Sequence, residues 1–491
     1  MNYKLILKLI GNVLRVEALF MLLPLAVSLI YGSGDYAAFL WSILIVASVG
    51  SLLSLIKPGN KGFKPKDAFA VAGLAWLLIS LFGALPFYFS GYFKGFIDCA
   101  FESISGFTTT GASILTNIEI LPKGILFWRS FSHWIGGMGV LMFMLAVMPS
   151  MNASSVNLLR AESTGPSPDK IVPKIRETAK IMYLVYLAMT VLLVILLLIA
   201  GLPIYDSLVN AFSTAGTGGF SAMNASIRAY NNLAAEIIIT VFMFLFGISF
   251  TLYFFLLGKK FMKLFKDSEL KFYFGIVIAA IAVITINISG LYGGIGEALR
   301  HSSFQVSSII STTGFSTADF NLWPTLSQVI LVLLMVTGCC AGSTGGGMKL
   351  IRILILLKAV KIELGKIFHP GSVKAVSINE KKIDRETVSK TGLFFFIYFA
   401  VFIVSVMLVS IDNKDFVSSS TAVIASLSNI GPGLGAVGPA GNFSLFSAFS
   451  KVVLSFCMIA GRLEFFPVLI WFIPSLWKKR LSFQIKKRIS V

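Results

Sequence analysis

Apolar runs too long for a soluble core recur along this chain in pairs, and each later pair encloses an insert too short to cross a bilayer. Runs such as IMYLVYLAMTVLLVILLLIAGL (181–202) and LFFFIYFAVFIVSVMLVSI (393–411) have the length and low charge of membrane-spanning helices. Only a helix satisfies its own backbone in hydrocarbon, so these runs predict spans rather than strands. With 56% hydrophobic and 13% charged residues among 491, the chain carries more apolar surface than one soluble core needs.

The charged residues orient it. The formal charge of +19 is concentrated in alternate loops, at Lys57–Lys66, Arg160–Lys180, Lys259–Lys271, Lys349–Lys390 and Lys478–Arg488. Cytoplasmic loops carry excess Lys and Arg, and an even number of spans separates these clusters, so both termini are expected in the cytoplasm. Charge on every alternate loop fits membrane orientation, and no nucleic-acid partner is expected. The first apolar stretch, 9–30, contains Arg15 and Glu17 and no small-residue cleavage site, so it is expected to remain as a helix. Cys99, Cys339, Cys340 and Cys457 lack metal-ligand spacing and suggest neither a zinc site nor a disulfide framework.

The pair 9–30 and 37–56 is joined only by YGSGDY and reads as a hairpin, residues 1–58. Four longer units follow: 59–160, 161–265, 266–385 and 386–491. Their inserts are FIDCAFESISGFTTTGAS (96–113), YDSLVNAFSTAGTGGFSAMN (205–224), LRHSSFQVSSIISTTGFSTADF (299–320) and FVSSSTAVIASLSNIGPGLGAVG (416–438). Each places one glycine, Gly111, Gly219, Gly314 or Gly431, after a segment of about ten residues, at a repeat of about a hundred. A ten-residue helix covers about 15 Å, half of a ~30 Å hydrocarbon core, so each insert descends halfway and returns as extended chain. Such backbone is tolerated only where it is buried in protein or lines water.

The expected fold is therefore all-α and integral to the membrane: four parallel units of span, re-entrant pore loop and span around one central pore, plus the N-terminal hairpin. Each Thr-Thr-Gly-like step supplies one wall of the same opening. There, backbone carbonyls and Thr hydroxyls replace the hydration shell of an ion, and glycine permits the conformation that aims them inward. Half-helices pointing their C-termini at the axis favour a cation.

The residues TTTGAS (108–113), FSHWIGGMGV (131–140), FSTAGTGGFS (212–221), STTGFST (311–317), GSTGGGMKLIR (342–352), NIGPGLG (429–435) and GRLEFFPVL (461–469), in this order, resemble the Trk/Ktr/HKT superfamily of cation transporters and its bacterial TrkH branch. The resemblance covers nearly the whole chain. It implies potassium uptake across the inner membrane, with K+ as the transported ion and no organic cofactor. It also implies a homodimer with one pore per subunit and a cytosolic, nucleotide-binding, TrkA-like regulatory ring. The potassium filter would comprise Thr109, Thr110 and Gly111; Thr217, Gly218 and Gly219; Thr312, Thr313 and Gly314; and Asn429, Ile430 and Gly431. Glycine at all four positions looks like the potassium-selective pattern. The departures are the longer STAGTGG of the second loop and Pro432 after the fourth glycine, so an evenly fourfold filter is not expected.

A centred Arg costs roughly 2.5–3.5 kcal/mol on insertion scales, so Arg462 within the last apolar run needs a partner or water. One account is a bridge to Glu464 or Glu102; by resemblance, GRLE places an arginine beneath the filter as a barrier. Residues 338–349, GCCAGSTGGGMK, are rich enough in Gly and Ser to suggest an unwound segment in the permeation path. Gly342, Ser343, Thr344, Gly345, Gly346 and Gly347 are the expected gate. Glu102, Asp206 and Glu297 either attract cations at the outer mouth or cap helices. His133 is expected to be a packing residue without a role of its own.

Two other classes compete. An enzyme is disfavoured by the absence of a nucleophile arrangement and by only three histidines. A solute symporter with broken helices predicts inverted repeats, whereas these are parallel. Within the leading reading, sodium- or proton-coupled cation symport with weaker potassium selectivity stands as the alternative.

Overall fold

The computed structural model describes residues 1–57, 65–139, 175–258, 261–369, 371, 374–379, 381–469 and 471. The second apolar run of the first unit, read from the sequence as a span over 124–149, passes outside the described residues after Gly139. Also outside them are Lys61, Lys64, Arg160, Lys170, Lys174, Lys259, Lys260, the Lys478–Arg488 cluster and the unit boundaries at 58/59 and 160/161.

Among the described residues, six helices are long and apolar enough to cross a membrane: Tyr3–Tyr31, Tyr36–Ser54, Lys66–Ser90, Glu177–Ile199, Ser268–Leu291 and Arg385–Asp412. This is a multi-pass membrane protein. Two of these helices are interrupted within their length. The first breaks at Met21, three residues before Pro24, and the third breaks at Gly83 and Ala84, just before Pro86. Each proline lacks the N–H that would continue the ladder. The first two spans pack as a hairpin in close contact: a methyl group on Gly11 would lie 2.7 Å from the Gly50 carbonyl.

The rest is four successions of outer helix, pore helix and inner helix. The outer helices are Lys66–Ser90, Ile175–Ile199, Ser268–Ile288 and Arg385–Val409. The pore helices are Phe96–Phe107, Ile204–Gly216, Ile295–Ile310 and Phe416–Leu427, of 12, 13, 16 and 12 residues, somewhat longer than the expected ten. They are buried in protein along most of their length, and Ser418 through Leu427 of the fourth have no exposed member. A half-length helix ending in polar residues therefore meets protein, not lipid.

The inner helices were expected to be continuous except at 338–349. Each is in fact broken or stopped at a similar depth. The first, Lys123–Gly137, stops just before Met138; the second, Leu233–Phe246, turns by 97° into Phe250–Leu257. The third, Thr325–Thr337, is separated from Leu350–Phe368 by non-helical chain, and the fourth, Ala448–Arg462, is followed by the short helix Phe466–Leu469. Near two of these points Gly136 and Gly461 lie against the carbonyls of Phe107 and Leu427 at the ends of the pore helices.

Packing between units is cyclic. The first inner helix packs on the second pore helix, the second inner on the third pore, the third inner on the fourth pore and the fourth inner on the first pore helix. The pore-helix C-termini consequently converge on one axis.

Candidate functional site

All four pore helices end in the same manner. Thr109, Thr217, Thr312 and Asn429 take left-handed backbone with φ of 55°, 56°, 60° and 55°. The next N–H returns to a carbonyl five residues back: Thr110 to Ser105 at 2.8 Å, Gly218 to Ser213 at 2.9 Å, Thr313 to Ser308 at 2.8 Å and Ile430 to Ala425 at 2.9 Å. This is a Schellman turn, whose left-handed position favours glycine or asparagine. Three β-branched threonines there each carry strain of about 1–3 kcal/mol, held only because the surroundings over-determine the turn.

Two residues later come Gly111, Gly219, Gly314 and Gly431, with φ of 78°, 74°, 84° and 97°. Each touches a carbonyl of the neighbouring loop. A methyl group on Gly111 would lie 1.8 Å from the Gly218 oxygen, on Gly219 2.1 Å from Thr313, on Gly314 2.0 Å from Ile430, and on Gly431 2.7 Å from Thr110. The fourth loop thus meets the first, and the ring closes. Above it opens a cavity of about 160 Å³ lined by all four glycines together with Arg129 and Asn442.

The hydroxyls of this ring are largely engaged by protein. Thr110 Oγ1 accepts from Asn429 Nδ2 at 2.9 Å and lies 2.8 Å from Thr108 Oγ1. Thr313 Oγ1 pairs with Ser311 at 2.7 Å, Thr312 Oγ1 accepts the Gly346 N–H at 2.7 Å, and the Thr217 hydroxyl donates to the Gly216 carbonyl. Thr109 Oγ1 alone among the five ring threonines is buried without a protein partner among the described residues. The chemistry available at the axis is therefore mainly that of carbonyl oxygens at helix C-termini, which suits a desolvated cation.

Beneath the ring runs the non-helical stretch 338–349. Gly345 and Gly346 lie against its underside: methyl groups there would sit 2.7 Å from the Ser311 carbonyl and 2.4 Å from the Ser428 carbonyl. Gly342, Gly347 and Lys349 have positive φ. Ser343 Oγ donates to the Cys340 carbonyl at 2.6 Å, and Arg462 donates to the Thr344 carbonyl at 2.6 Å and to the Gly136 and Gly137 carbonyls. One guanidinium thereby joins the fourth inner helix, the Gly-rich stretch and the end of the first inner helix. The two carboxylates weighed as partners for Arg462 have arginines of their own: Glu464 pairs with Arg352, and Glu102 with Arg129.

Several residues differ from expectation. Lys349 and Arg352 were counted with the cytoplasmic charge, yet both are buried, Lys349 donating to the Gly345 carbonyl and Arg352 to Glu464. Glu102 neither faces the outer mouth nor caps its helix. It lies fully buried in mid-helix, accepting from Arg129 Nε and Nη2 at 2.9 and 2.7 Å, from Ser113 at 2.9 Å and from the Ile114 N–H at 3.0 Å. Glu297 accepts the Gly293 N–H at 3.0 Å beside its helix start, and Asp206 accepts from Tyr230 at 3.0 Å. At the fourth pore helix Asp415 accepts the Ser418 N–H at 2.8 Å, and hydrogen bonds from the Ser418 hydroxyl and backbone hold its carboxyl below the usual carboxylate range. With Asp98 in the first turn of the first pore helix, every pore helix carries a carboxylate at its N-terminus. Negative charge there offsets the positive dipole end of each helix.

Sequence reading missed two elements. Arg129 lies within an apolar run just as Arg462 does, and that same signal marks it. Glu269 Oε1 accepts the N–H groups of Ala341 at 2.8 Å and Ile351 at 3.0 Å, gathering both ends of the Gly-rich stretch, and no local pattern announces a contact across 72 and 82 residues.

The family model TrkH, described as a cation transport protein, matches residues 36–479. The Trk system potassium uptake protein TrkH of Salmonella typhimurium is 35% identical over 485 residues, 98% of this chain and 100% of that protein. TrkG of Escherichia coli is 31% identical over 95% of this chain and 97% of its own length. The crystal structure of the potassium transporter TrkH from Vibrio parahaemolyticus matches with a TM-score of 0.88 at 32% identity, covering 97% of this chain and all of that one.

Proposed function

This chain belongs to the TrkH family of cation transport proteins, and from that premise we propose that it takes up potassium across the cytoplasmic membrane through the ring of four loops. Its relatives are named Trk system potassium uptake proteins. The observation that carries the reading is the cyclic contact of each loop glycine with a carbonyl of the next loop.

The ion sheds water at the outer cavity and is taken up by the carbonyl oxygens of Thr109–Gly111, Thr217–Gly219, Thr312–Gly314 and Asn429–Gly431. Below, it meets the Gly342–Gly347 gate and the Arg462 charge, which opposes cation occupancy. The Gly-rich stretch continues into Leu350–Phe368, a helix that leads toward the basic loops on the side assigned to the cytoplasm. A cytosolic nucleotide-binding ring docked there would move the gate along that one helix. Homodimers with one pore per subunit and cytoplasmic termini complete the reading.

Labelled rubidium uptake into proteoliposomes, competed with sodium, tests it. Uptake that potassium suppresses and equimolar sodium barely affects is the expected result. Electrical recording across stepped gradients separates the mechanisms: a passive pore reverses at the potassium potential, whereas a shift of the reversal potential with sodium or pH would replace this reading by coupled symport.

A further inference from the structure

The second loop writes glycine where the other three carry side chains. Gly218 occupies the place of Thr110, Thr313 and Ile430, yet its φ is not positive, so its backbone does not require glycine. Another group requires it. A methyl on Gly218 would lie 2.4 Å from both Cγ and Nδ1 of His133 and 2.5 Å from Cε1. The imidazole, delivered from the first inner helix, fills the volume that a side chain fills from within the loop in the other repeats.

That ring is fixed on several sides. It stacks on Phe220 with centroids 4.3 Å apart and planes at 20°, and Phe220 also receives the Arg129 guanidinium 4.0 Å from its centre. Arg129 is in turn held by Glu102. The backbone leaves no retreat, since a methyl on Gly216 would meet the His133 carbonyl at 2.2 Å. Both ring nitrogens are buried without a protein partner among the described residues, so shape and stacking, not hydrogen bonding to protein, account for the contact.

We propose that His133 is a positioning residue for ion selection: acting from the neighbouring repeat, it sets where the Gly218 carbonyl stands in the ring. The inference rests on the filter reading above. Gly218 and Gly111 are in direct contact, so displacement of the Gly218 carbonyl changes the oxygen nearest Gly111.

The test is a side-chain exchange, read as rubidium uptake under sodium competition on detergent-monodisperse protein. His133→Ala is expected to lower rubidium preference over sodium about tenfold, equivalent to roughly 1.4 kcal/mol of differential binding. Gly218→Thr alone should lower it similarly, because the ring stands in the way. The double variant, His133→Ala with Gly218→Thr, restores the arrangement of the other loops and should recover most of the preference. A general loss of packing gives no such rescue. Unchanged preference in either single variant, or a monodisperse double variant no better than the singles, overturns the proposal. Gly219→Ser serves as the separate control: if it too leaves preference unchanged, the filter reading itself has failed, whereas its loss beside an indifferent His133 variant rejects only the positioning role.

Discussion

Alanine at each of the four ring glycines should do unequal damage, in an order fixed by the distances between loops. All four have positive φ, between 74° and 97°, so a side chain costs roughly 1–2 kcal/mol of backbone strain at every one. The difference lies in what the new methyl meets. A carbon approaches a carbonyl oxygen no closer than roughly 3.3 Å without repulsion. At Gly111 the Gly218 oxygen stands 1.8 Å from the methyl position and has to retreat by about 1.5 Å, whereas at Gly431 the Thr110 oxygen stands at 2.7 Å and retreats by about 0.6 Å. On the filter reading, a carbonyl moved by more than about 1 Å should lose its place in an ion's coordination shell, whereas one moved by about half that distance should keep it. Gly111→Ala should therefore reduce rubidium preference over sodium about tenfold or more and Gly431→Ala about threefold, corresponding to roughly 1.4 and 0.7 kcal/mol. Gly314→Ala and Gly219→Ala should fall near the first. The assay is competed rubidium uptake in proteoliposomes, with size-exclusion profiles as the control for folding. If Gly431→Ala matched or exceeded Gly111→Ala in well-folded protein, contact between neighbouring loops would not be what these glycines protect.

Arg462→Ala removes a unit charge from below the ring, worth about 1.7 kcal/mol at roughly 10 Å and an effective dielectric of 20, so flux should rise about ten- to twentyfold. Arg462→Lys keeps the charge but not the fork that joins Thr344 to Gly136 and Gly137, and should rise less; equal behaviour in both would leave a placed guanidinium without support. Deleting Gly345–Gly347 should give folded protein whose rubidium flux is high and indifferent to cytosolic partner or nucleotide, and unaltered, still regulated flux would leave these glycines as packing residues. Glu269→Ala frees the N–H groups of Ala341 and Ile351 and should likewise raise basal flux, while reduced thermal stability alone would mark Glu269 as structural. Glu102→Ala strands the buried Arg129 guanidinium at a cost of about 3–5 kcal/mol, seen as a lower thermal midpoint in detergent. Adding Arg129→Met should recover part of that loss, and strictly additive losses would argue against the pair.

The helical membrane class and the six long spans were readable from apolar length and charge spacing alone. So was the position of each half-length insert, since a polar glycine step after a short apolar segment has few structural outlets. The break in the second inner helix was not readable, because its run LAAEIIITVFMFLFGISFTLYFFLL carries no proline and a single glycine; the first and fourth stop at WIGGMG and GRLEFFP, whose glycines allow a stop without requiring one. At the 97° turn of the second, the chain is bonded by the Gly-rich stretch, Cys340 N–H to the Gly247 carbonyl at 3.1 Å and Phe250 N–H to the Gly342 carbonyl at 3.0 Å, contacts that belong to the assembled bundle. The burial of Lys349 and Arg352 was misjudged for the same reason: their neighbours, Gly345 and Glu464, lie 4 and 112 residues away, and only the second distance shows that the chain has folded back over them. Gly218 looked like an irregularity in a repeat and became intelligible once His133 of the preceding repeat was seen beside it.

The ring is closed by its most distant parts. Gly431 lies against Thr110 and Gly111, and the amide of Asn429 bonds Thr110 across 319 residues of chain. During synthesis the first three walls therefore leave the ribosome and enter the bilayer before the last exists. An incomplete chain presents a three-sided cleft whose carbonyls have no opposing oxygen, and with no full coordination shell to replace its water an ion stays hydrated and outside. On the filter reading proposed above, the nascent protein should conduct nothing until its final repeat docks, and a chain ending before residue 429 should give no competed rubidium uptake.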